Sequence, residues 1–342
     1  MISVSAPGKC HLIGEHAIVY GEPAIIAAIG KRTKVTLEKA SSFSYKDHRF
    51  ERTTEFTLEE ALQAAEQAKQ LWQEGSEKKD FSELFAFVKK DYYGNYRKAV
   101  VGLLCKKFNV NYGLRIDVQS EVPAGSGLGS SSSLAVALTK AFAEFSFHNL
   151  THEDTNETAF ELEQIIHGTP SGGDNSTSCY GGLVWFQRSQ PKNIIQSLRE
   201  EIPYKLDGFV LVYTKPPEKN TGELIQLVRN LDEEYRNQRI KTIGKMVHEM
   251  REALKRKDFR KVKELINNTQ KNLAELGVSI REIDEIHETV KEIGGAAKLC
   301  GAGGGGIMLC YHEDKDLLIK TIRELGYMPL EADLAVEGVR VE

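Results

Sequence analysis

The chain runs to 342 residues, which fits about two domains at roughly 100 to 200 residues each. Its 45 Lys+Arg against 49 Asp+Glu give a formal charge of −4, so no basic excess is available to hold a polyanion and nucleic acid is not an expected partner. No apolar run approaches the roughly 18 residues of a membrane span, and Met1-Ile-Ser-Val-Ser-Ala-Pro7 has no basic stretch ahead of an apolar one, so a cytoplasmic protein with no membrane partner is expected.

In chain order, the first notable segment is Ser5-Ala-Pro-Gly-Lys-Cys-His-Leu-Ile-Gly-Glu-His-Ala-Ile-Val-Tyr-Gly21, which strings Lys9, Glu15 and His16 through apolar positions. Any one of these three, taken alone, reads as a surface or structural residue. Leu58, Ala61, Leu62, Ala65, Ala68, Leu71 and Trp72 recur at helical spacing, while Leu114, Ile116 and Val118 alternate as in a half-buried strand. After that strand comes Glu121-Val-Pro-Ala-Gly-Ser-Gly-Leu-Gly-Ser-Ser-Ser-Ser133, running into the apolar helical pattern from Leu134. A glycine-rich turn feeding a helix N-terminus gathers backbone N–H groups and the positive end of the helix dipole at one point, which suits a phosphate. The segment has neither the Gly-Lys-Ser/Thr ending of a P-loop nor a Gly-x-Ser-x-Gly elbow; a flexible Gly/Ser linker is the plain alternative.

Thr151-His-Glu-Asp154 reads as a capped helix start, with Gly168 and Pro170 ending that helix after His167. The following loop, His167-Gly-Thr-Pro-Ser-Gly-Gly-Asp-Asn-Ser176, sets Asp174 among glycines and small polar residues; read locally, Asp174 could equally cap the next helix. The polar run Gln187-Arg-Ser-Gln-Pro-Lys-Asn193 suggests a domain boundary near 186, dividing the chain into 1–186 and 187–342. Beyond it, Gly208-Phe-Val-Leu-Val-Tyr213 predicts a buried strand, residues 231–275 predict long amphipathic helices, and Ser279-Ile-Arg-Glu282 opens a helix that stops at Gly294-Gly295. Lys298-Leu-Cys-Gly-Ala-Gly-Gly-Gly-Gly-Ile-Met-Leu-Cys-Tyr311 packs glycines between two apolar runs, as a glycine-rich hairpin also would. The five cysteines, Cys10, Cys105, Cys179, Cys300 and Cys310, contain no Cys-x-x-Cys pair, which argues against a disulfide framework or a zinc site.

Glycine placement ties these pieces together. Of 29 glycines, 18 fall within four windows (8–21, 125–129, 168–182 and 294–306) that total 47 residues. Glycine is used where backbone takes positive φ or approaches a ligand closely, so four such windows suggest one assembled site.

Three segments in this order resemble the three motifs of the galactokinase, homoserine kinase, mevalonate kinase and phosphomevalonate kinase (GHMP) superfamily. They are Pro7-Gly-Lys9, then Pro123-Ala124-Gly125-Ser126-Gly127-Leu128-Gly129-Ser130-Ser131, then Gly301-Ala-Gly-Gly-Gly-Gly306. Within it, Gly14-Glu-His-Ala-Ile-Val-Tyr-Gly21 and Pro170-Ser-Gly-Gly-Asp-Asn175 are similar to segments of mevalonate kinases, and Asn220-Thr-Gly-Glu-Leu-Ile225 to a segment bordering the family's site. The resemblance implies an α+β fold of two domains, the N-terminal one like the second domain of ribosomal protein S5 and the C-terminal one ferredoxin-like. It implies ATP-dependent phosphorylation of a primary alcohol, with mevalonate as acceptor and phosphomevalonate or a small sugar as alternatives. Asp174 then accepts or orients the hydroxyl proton with Lys9 beside it. Residues Pro123 to Ser131 wrap the nucleotide phosphates, Ser131 and Glu163 hold Mg²⁺, and Glu15 and His16 lie with Asp174 on the acceptor side. Gly301–Gly306 are expected to back the phosphate loop by close packing, and a homodimer stands as an open expectation. Three departures from the family pattern are visible: Cys300 in place of a common Thr, Gly173 where a larger residue often precedes the aspartate, and Ser132-Ser133 in place of alanines. The second is expected to widen the acceptor pocket, the third to alter how hydroxyls are shared between Mg²⁺ and phosphate.

Overall fold

The computed structural model describes residues 1–50 and 53–342. In chain order the first half contains β1 (Ile2–Ile13), β2 (Pro23–Ala40), β3 (Phe43–Asp47), β4 (Thr53–Phe56), α1 (Leu58–Lys78), α2 (Ser82–Phe108), β5 (Gly113–Ser120), α3 (Ser130–Phe145), α4 (His152–His167), α5 (Gly173–Tyr180), β6 (Leu183–Gln187) and β7 (Ile194–Ser197). The second contains β8 (Phe209–Tyr213), α6 (Thr221–Arg229), α7 (Glu233–Lys255), α8 (Phe259–Glu275), α9 (Arg281–Glu292), β9 (Ala296–Leu299), β10 (Ile307–Tyr311), α10 (Lys315–Glu324), β11 (Pro329–Glu331) and β12 (Arg340–Val341). Among the described residues no helix is long and apolar enough to cross a membrane.

Helix starts follow the local chemistry of the chain. Thr57 with Glu60, Thr151 with Asp154 and Asn220 with Glu223 each form a reciprocal capping box at the heads of α1, α4 and α6, satisfying backbone donors that have no partner inside the helix. The expected start at Ser279 is displaced: α9 begins at Arg281 after an uncapped Ile280, because the Ser279 hydroxyl is spent on Asp284 and Gln270. In α2 the backbone leaves helical geometry from Lys90 to Tyr93, and this kink carries Tyr93 to the wall of a cavity described below.

The first sheet has the order β12-β1-β2-β5-β3-β4, with β6 on the far part of β2 and β7 on β6. The second is antiparallel, in the order β11-β8-β10-β9. Residues 188–193 form the turn of the β6–β7 hairpin, so a division at 186 falls inside β6. The first sheet also takes back the end of the chain, where Val341 and Arg340 pair with Val4 and Ser5 of β1.

Both faces of β1 are covered. Val4 and Ala6 belong to a core formed with α1, α2, α3 and α4, whereas Cys10, Leu12 and Ile13 belong to a core continuous with the second sheet and its helices. The strand that holds the Pro-Gly-Lys motif is therefore clamped between the two halves of the molecule.

Candidate active site

The β1–β2 ladder slips twice, between Pro7 and Gly8 and between His11 and Ile13. Bulges of this kind re-aim side chains next to functional sites, and here they bracket the stretch carrying Lys9 and His11. Gly8 lies so close to the phosphate loop that a Cβ there would stand 2.6 Å from the Leu128 carbonyl oxygen. The Lys9 amide donates to that same carbonyl at 2.9 Å. β1 and the glycine-rich loop are thus one rigid unit.

Asp174 sits in the first turn of α5, which begins after Gly172. Asn175 anchors this turn to α4 through a 2.7 Å bond from Nδ2 to the Asn156 side-chain oxygen. Across the gap, Lys9 Nζ reaches Asp174 Oδ2 at 3.0 Å; the lysine side chain is 8% exposed and the aspartate 39%. Burial pushes the Asp174 carboxyl up, but the charge and hydrogen bond of Lys9 outweigh burial and hold the group below its usual value. His11, desolvated and next to Lys9, is pushed down to about 3 and stays neutral.

The phosphate loop is held by its own side chain. Ser126 Oγ donates to the Pro123 carbonyl at 2.7 Å and accepts from the Leu128 amide at 3.3 Å. Gly125, Gly127 and Gly129 take φ of 71°, 77° and 73°, a region that L side chains adopt only with strain. No side chain caps α3, so its first-turn N–H groups remain free for an anion.

Behind the loop, Ser131 Oγ lies 3.4 Å from Glu163 Oε2 and 3.0 Å from His167 Nε2. Ser132 makes a short hydrogen bond to the same Glu163 oxygen, while Glu163 Oε1 is buried without a partner. Burial pushes Glu163 up to about 7, opposed by the serine hydrogen bonds and reinforced by the charge of Asp174. A buried carboxylate oxygen with no partner, beside a hydroxyl and an anion-binding helix end, is the hard-oxygen donor set that Mg²⁺ accepts together with phosphate oxygens. Of the two serines replacing alanines, Ser132 therefore touches the candidate metal ligand, but Ser133 turns away to Thr33 at 2.8 Å and the Ser130 carbonyl at 3.2 Å.

Two cavities are lined by these residues, the larger beside the loop and the smaller beside Lys9 and Asp174. The larger, 420 Å³, has aromatic walls from Tyr45, Phe50, Tyr93 and Tyr96, with Asp47, Arg49 and Arg97, and is closed by Ala124, Gly125, Ser130 and Ser131. The smaller, 230 Å³, is lined by Lys9, Asp174 and Arg188 together with Ile18, Val19, Ile26, Phe186 and Ile225. Thr221 and Ile225, from the segment similar to a family motif in the second half, also line it.

The chain matches the family model described as GHMP kinases N terminal domain over residues 95–182 and that described as GHMP kinases C terminal over 250–327. A mevalonate kinase of Thermococcus sibiricus is 30% identical over 100% of this chain and 98% of its own length; the human mevalonate kinase is 28% identical over 100% and 95%. The chain belongs to the GHMP kinases. A solved mevalonate kinase with 23% identity superposes with a TM-score of 0.81 over 99% of this chain and 100% of its own, so the two-domain α+β GHMP kinase fold is shared. Enzymes of this family use ATP as phosphoryl donor, and the chain is a kinase.

Against that family frame, the expected residues divide. Lys9, Asp174, Ser131 and Glu163 converge at the mouth of the loop. Glu15 and His16 do line the smaller cavity; Glu15 Oε2 is buried without a partner, and one further polar atom of each residue is engaged by the second half. The Glu15 carboxylate is fully buried against Lys298, and His16 Nε2, facing the Ala302 carbonyl at 2.8 Å, must be the protonated nitrogen. Gly173 does not widen the acceptor pocket, because a Cβ there would meet Phe186 at 2.9 Å and Ile26 at 3.0 Å, which occupy the space. Gly301–Gly306 reach the site at their start, where Gly301 and Ala302 line the smaller cavity. They form the β9–β10 hairpin loop, whose tight approaches are to the Val278 carbonyl, Leu224 and the Lys215 carbonyl, within the second half.

Residues to which sequence reasoning gave no role are Lys298, His11, Arg188 and His167. Lys298 left a signal, a lysine set between apolar residues in a strand. Arg188, hidden in a polar turn, left none.

Proposed function

We propose that this GHMP kinase transfers the γ-phosphoryl group of ATP to the primary hydroxyl of mevalonate, forming 5-phosphomevalonate and ADP in the cytoplasm. The observation that carries this reading is the smaller cavity. It offers a proton acceptor beside an ammonium, a guanidinium suited to bidentate pairing with a carboxylate in its wall, and a branched aliphatic lining. A short branched hydroxy acid satisfies all three. A sugar would leave Arg188 without a counter-charge, and a second phosphate would call for more cations than the walls supply.

In the mechanism, Asp174 accepts the proton of the acceptor hydroxyl as its oxygen bonds to the γ-phosphorus and the bond to the β-phosphate bridging oxygen breaks. Such base assistance contributes roughly 10² to 10⁴ in rate. Lys9 holds Asp174 ionised and faces the charge that develops on the transferring group. The loop Pro123–Ser131 and the uncapped start of α3 cradle the phosphates, and the aromatic cavity beside them takes the nucleoside. Ser131 and Glu163 would hold Mg²⁺, which when bound neutralises phosphate charge. Five thiols with no disulfide among them suit a reducing compartment.

A coupled assay of ADP release with mevalonate, phosphomevalonate, galactose and homoserine tests the acceptor. Turnover is expected with mevalonate; its absence there rejects the reading, and turnover with one of the others replaces it.

A further inference from the structure

Lys298 lies on β9, in the second sheet, and the mechanism above makes no use of it. Its side chain is fully buried, an unusual place for an ammonium unless it is paired. All three of its protons find acceptors: the Glu15 carboxylate, the His11 carbonyl at 3.3 Å and the Leu299 carbonyl at 3.0 Å. Only the last belongs to its own half. Burial alone would favour the neutral amine, yet the Glu15 carboxylate holds Lys298 above its usual value, in the charged form.

The other two acceptors are placed where they matter for the reaction. His11 is two residues beyond Lys9 on β1, and the register slip after it turns its carbonyl out of the ladder toward the second sheet, where Cys300 Sγ also donates to it at 3.4 Å. Glu15 opens the turn that carries His16, Ile18 and Val19 into the acceptor cavity. Between its two slips, β1 is held on one side by the Leu128 carbonyl and on the other by Lys298.

We infer that Lys298 is a positioning residue for phosphoryl transfer: an ammonium from the second sheet grips the His11 carbonyl and the Glu15 carboxylate and so fixes the bulged stretch that aims Lys9 at Asp174. This rests on the kinase reading of the site. The rival account is a buried ion pair that serves only the fold. The two differ in what happens when both charges are removed together, because replacing a whole buried pair by neutral groups restores stability, whereas removing one partner strands a charge.

The test compares Lys298→Met, Lys298→Arg and the double variant Glu15→Gln/Lys298→Met, reading kcat, KM for ATP and the thermal midpoint. Lys298→Met and the double variant should both lose about 10- to 100-fold in kcat, the scale of a misplaced reacting group, with KM for ATP within about two-fold of wild type. The double variant should recover the thermal midpoint without recovering kcat. Lys298→Arg, which keeps the charge and the donors, should retain more kcat than Lys298→Met. A double variant that is both stable and as fast as wild type overturns the inference. Should Lys298→Met alone unfold, the double variant and Lys298→Arg carry the comparison. Wild-type turnover of mevalonate, measured first, separates the failures: an inactive wild type sinks the acceptor assignment, while an active wild type with a fully active double variant sinks the role of Lys298.

Discussion

Two glycine-rich loops, 123–131 and 300–306, look alike in composition, yet Gly125 and Gly127 in the one and Gly303 in the other do opposite physical work. In the first, a Cβ at Gly125 or Gly127 would meet nothing within 4 Å; the glycines are there for left-handed backbone that opens N–H groups to an anion at the head of α3. In the second, a Cβ at Gly303 would stand 2.3 Å from the Val278 carbonyl; the glycine is there because another backbone already fills the space. Glycine content marks both loops, and only the surroundings tell a ligand cradle from a packed corner. The contrast implies that damage near the first loop appears as lost rate, and damage at Gly303 as lost stability.

The strongest attempt to break this division is Asp174→Ala, at the catalytic side of the first loop. Turnover should fall by roughly 10² to 10⁴, with ATP binding by calorimetry and the thermal midpoint kept; unchanged turnover would remove Asp174 from the chemistry. The wild-type pH profile adds a check of sign. Since pairing with Lys9 lowers the Asp174 carboxyl, the group stays ionised as pH falls through the usual carboxylate range. Its loss of activity then begins only below that range, and an acid limb near neutrality belongs to another group.

Gly303→Ala probes the other loop. The left-handed conformation at φ 85° and the collision with backbone together should cost about 2 to 4 kcal/mol of stability, read as a lower urea midpoint, while kcat per folded molecule stays near wild type. A variant that folds as stably as wild type but binds ATP poorly would erase the distinction between the loops. The smallest expected effect is that of Ser131→Ala. Removing one hydroxyl from the candidate Mg²⁺ ligands should raise the Mg²⁺ concentration for half-maximal rate by about ten-fold or less, since Glu163 and the phosphates remain; an unaltered Mg²⁺ titration contradicts that role.

Legibility in the sequence followed the range of the interactions concerned. The helix from Leu58, the strand through Leu114, Ile116 and Val118 and the capped start at Thr151 were readable because capping and periodicity are settled by residues a few positions apart. The phosphate loop was readable for the same reason, as a turn and a helix end adjacent in the chain. Misreadings arose where a local pattern met a distant partner. The polar run at 187–193 reads as a linker, yet it turns the chain into β7, which folds back onto β6. Gly173 suggests extra room that Phe186 and Ile26 fill from other strands. Glu15 lines the acceptor cavity, but its pairing there with a lysine from the far end of the chain left no local sign.

What the sequence determined by itself was the chemical repertoire: a carboxylate in a glycine loop, an ammonium in a Pro-Gly-Lys turn, a cradle for phosphate, each encoded by neighbours along the backbone. What only the tertiary structure decided was which of these groups meet. The Lys9–Asp174 contact, the Arg188 side chain in the acceptor wall and the grip of Lys298 on β1 join segments far apart in the chain. Such contacts exist because two bulges, two sheets and a shared core bring those segments together, and no short window of residues carries that information.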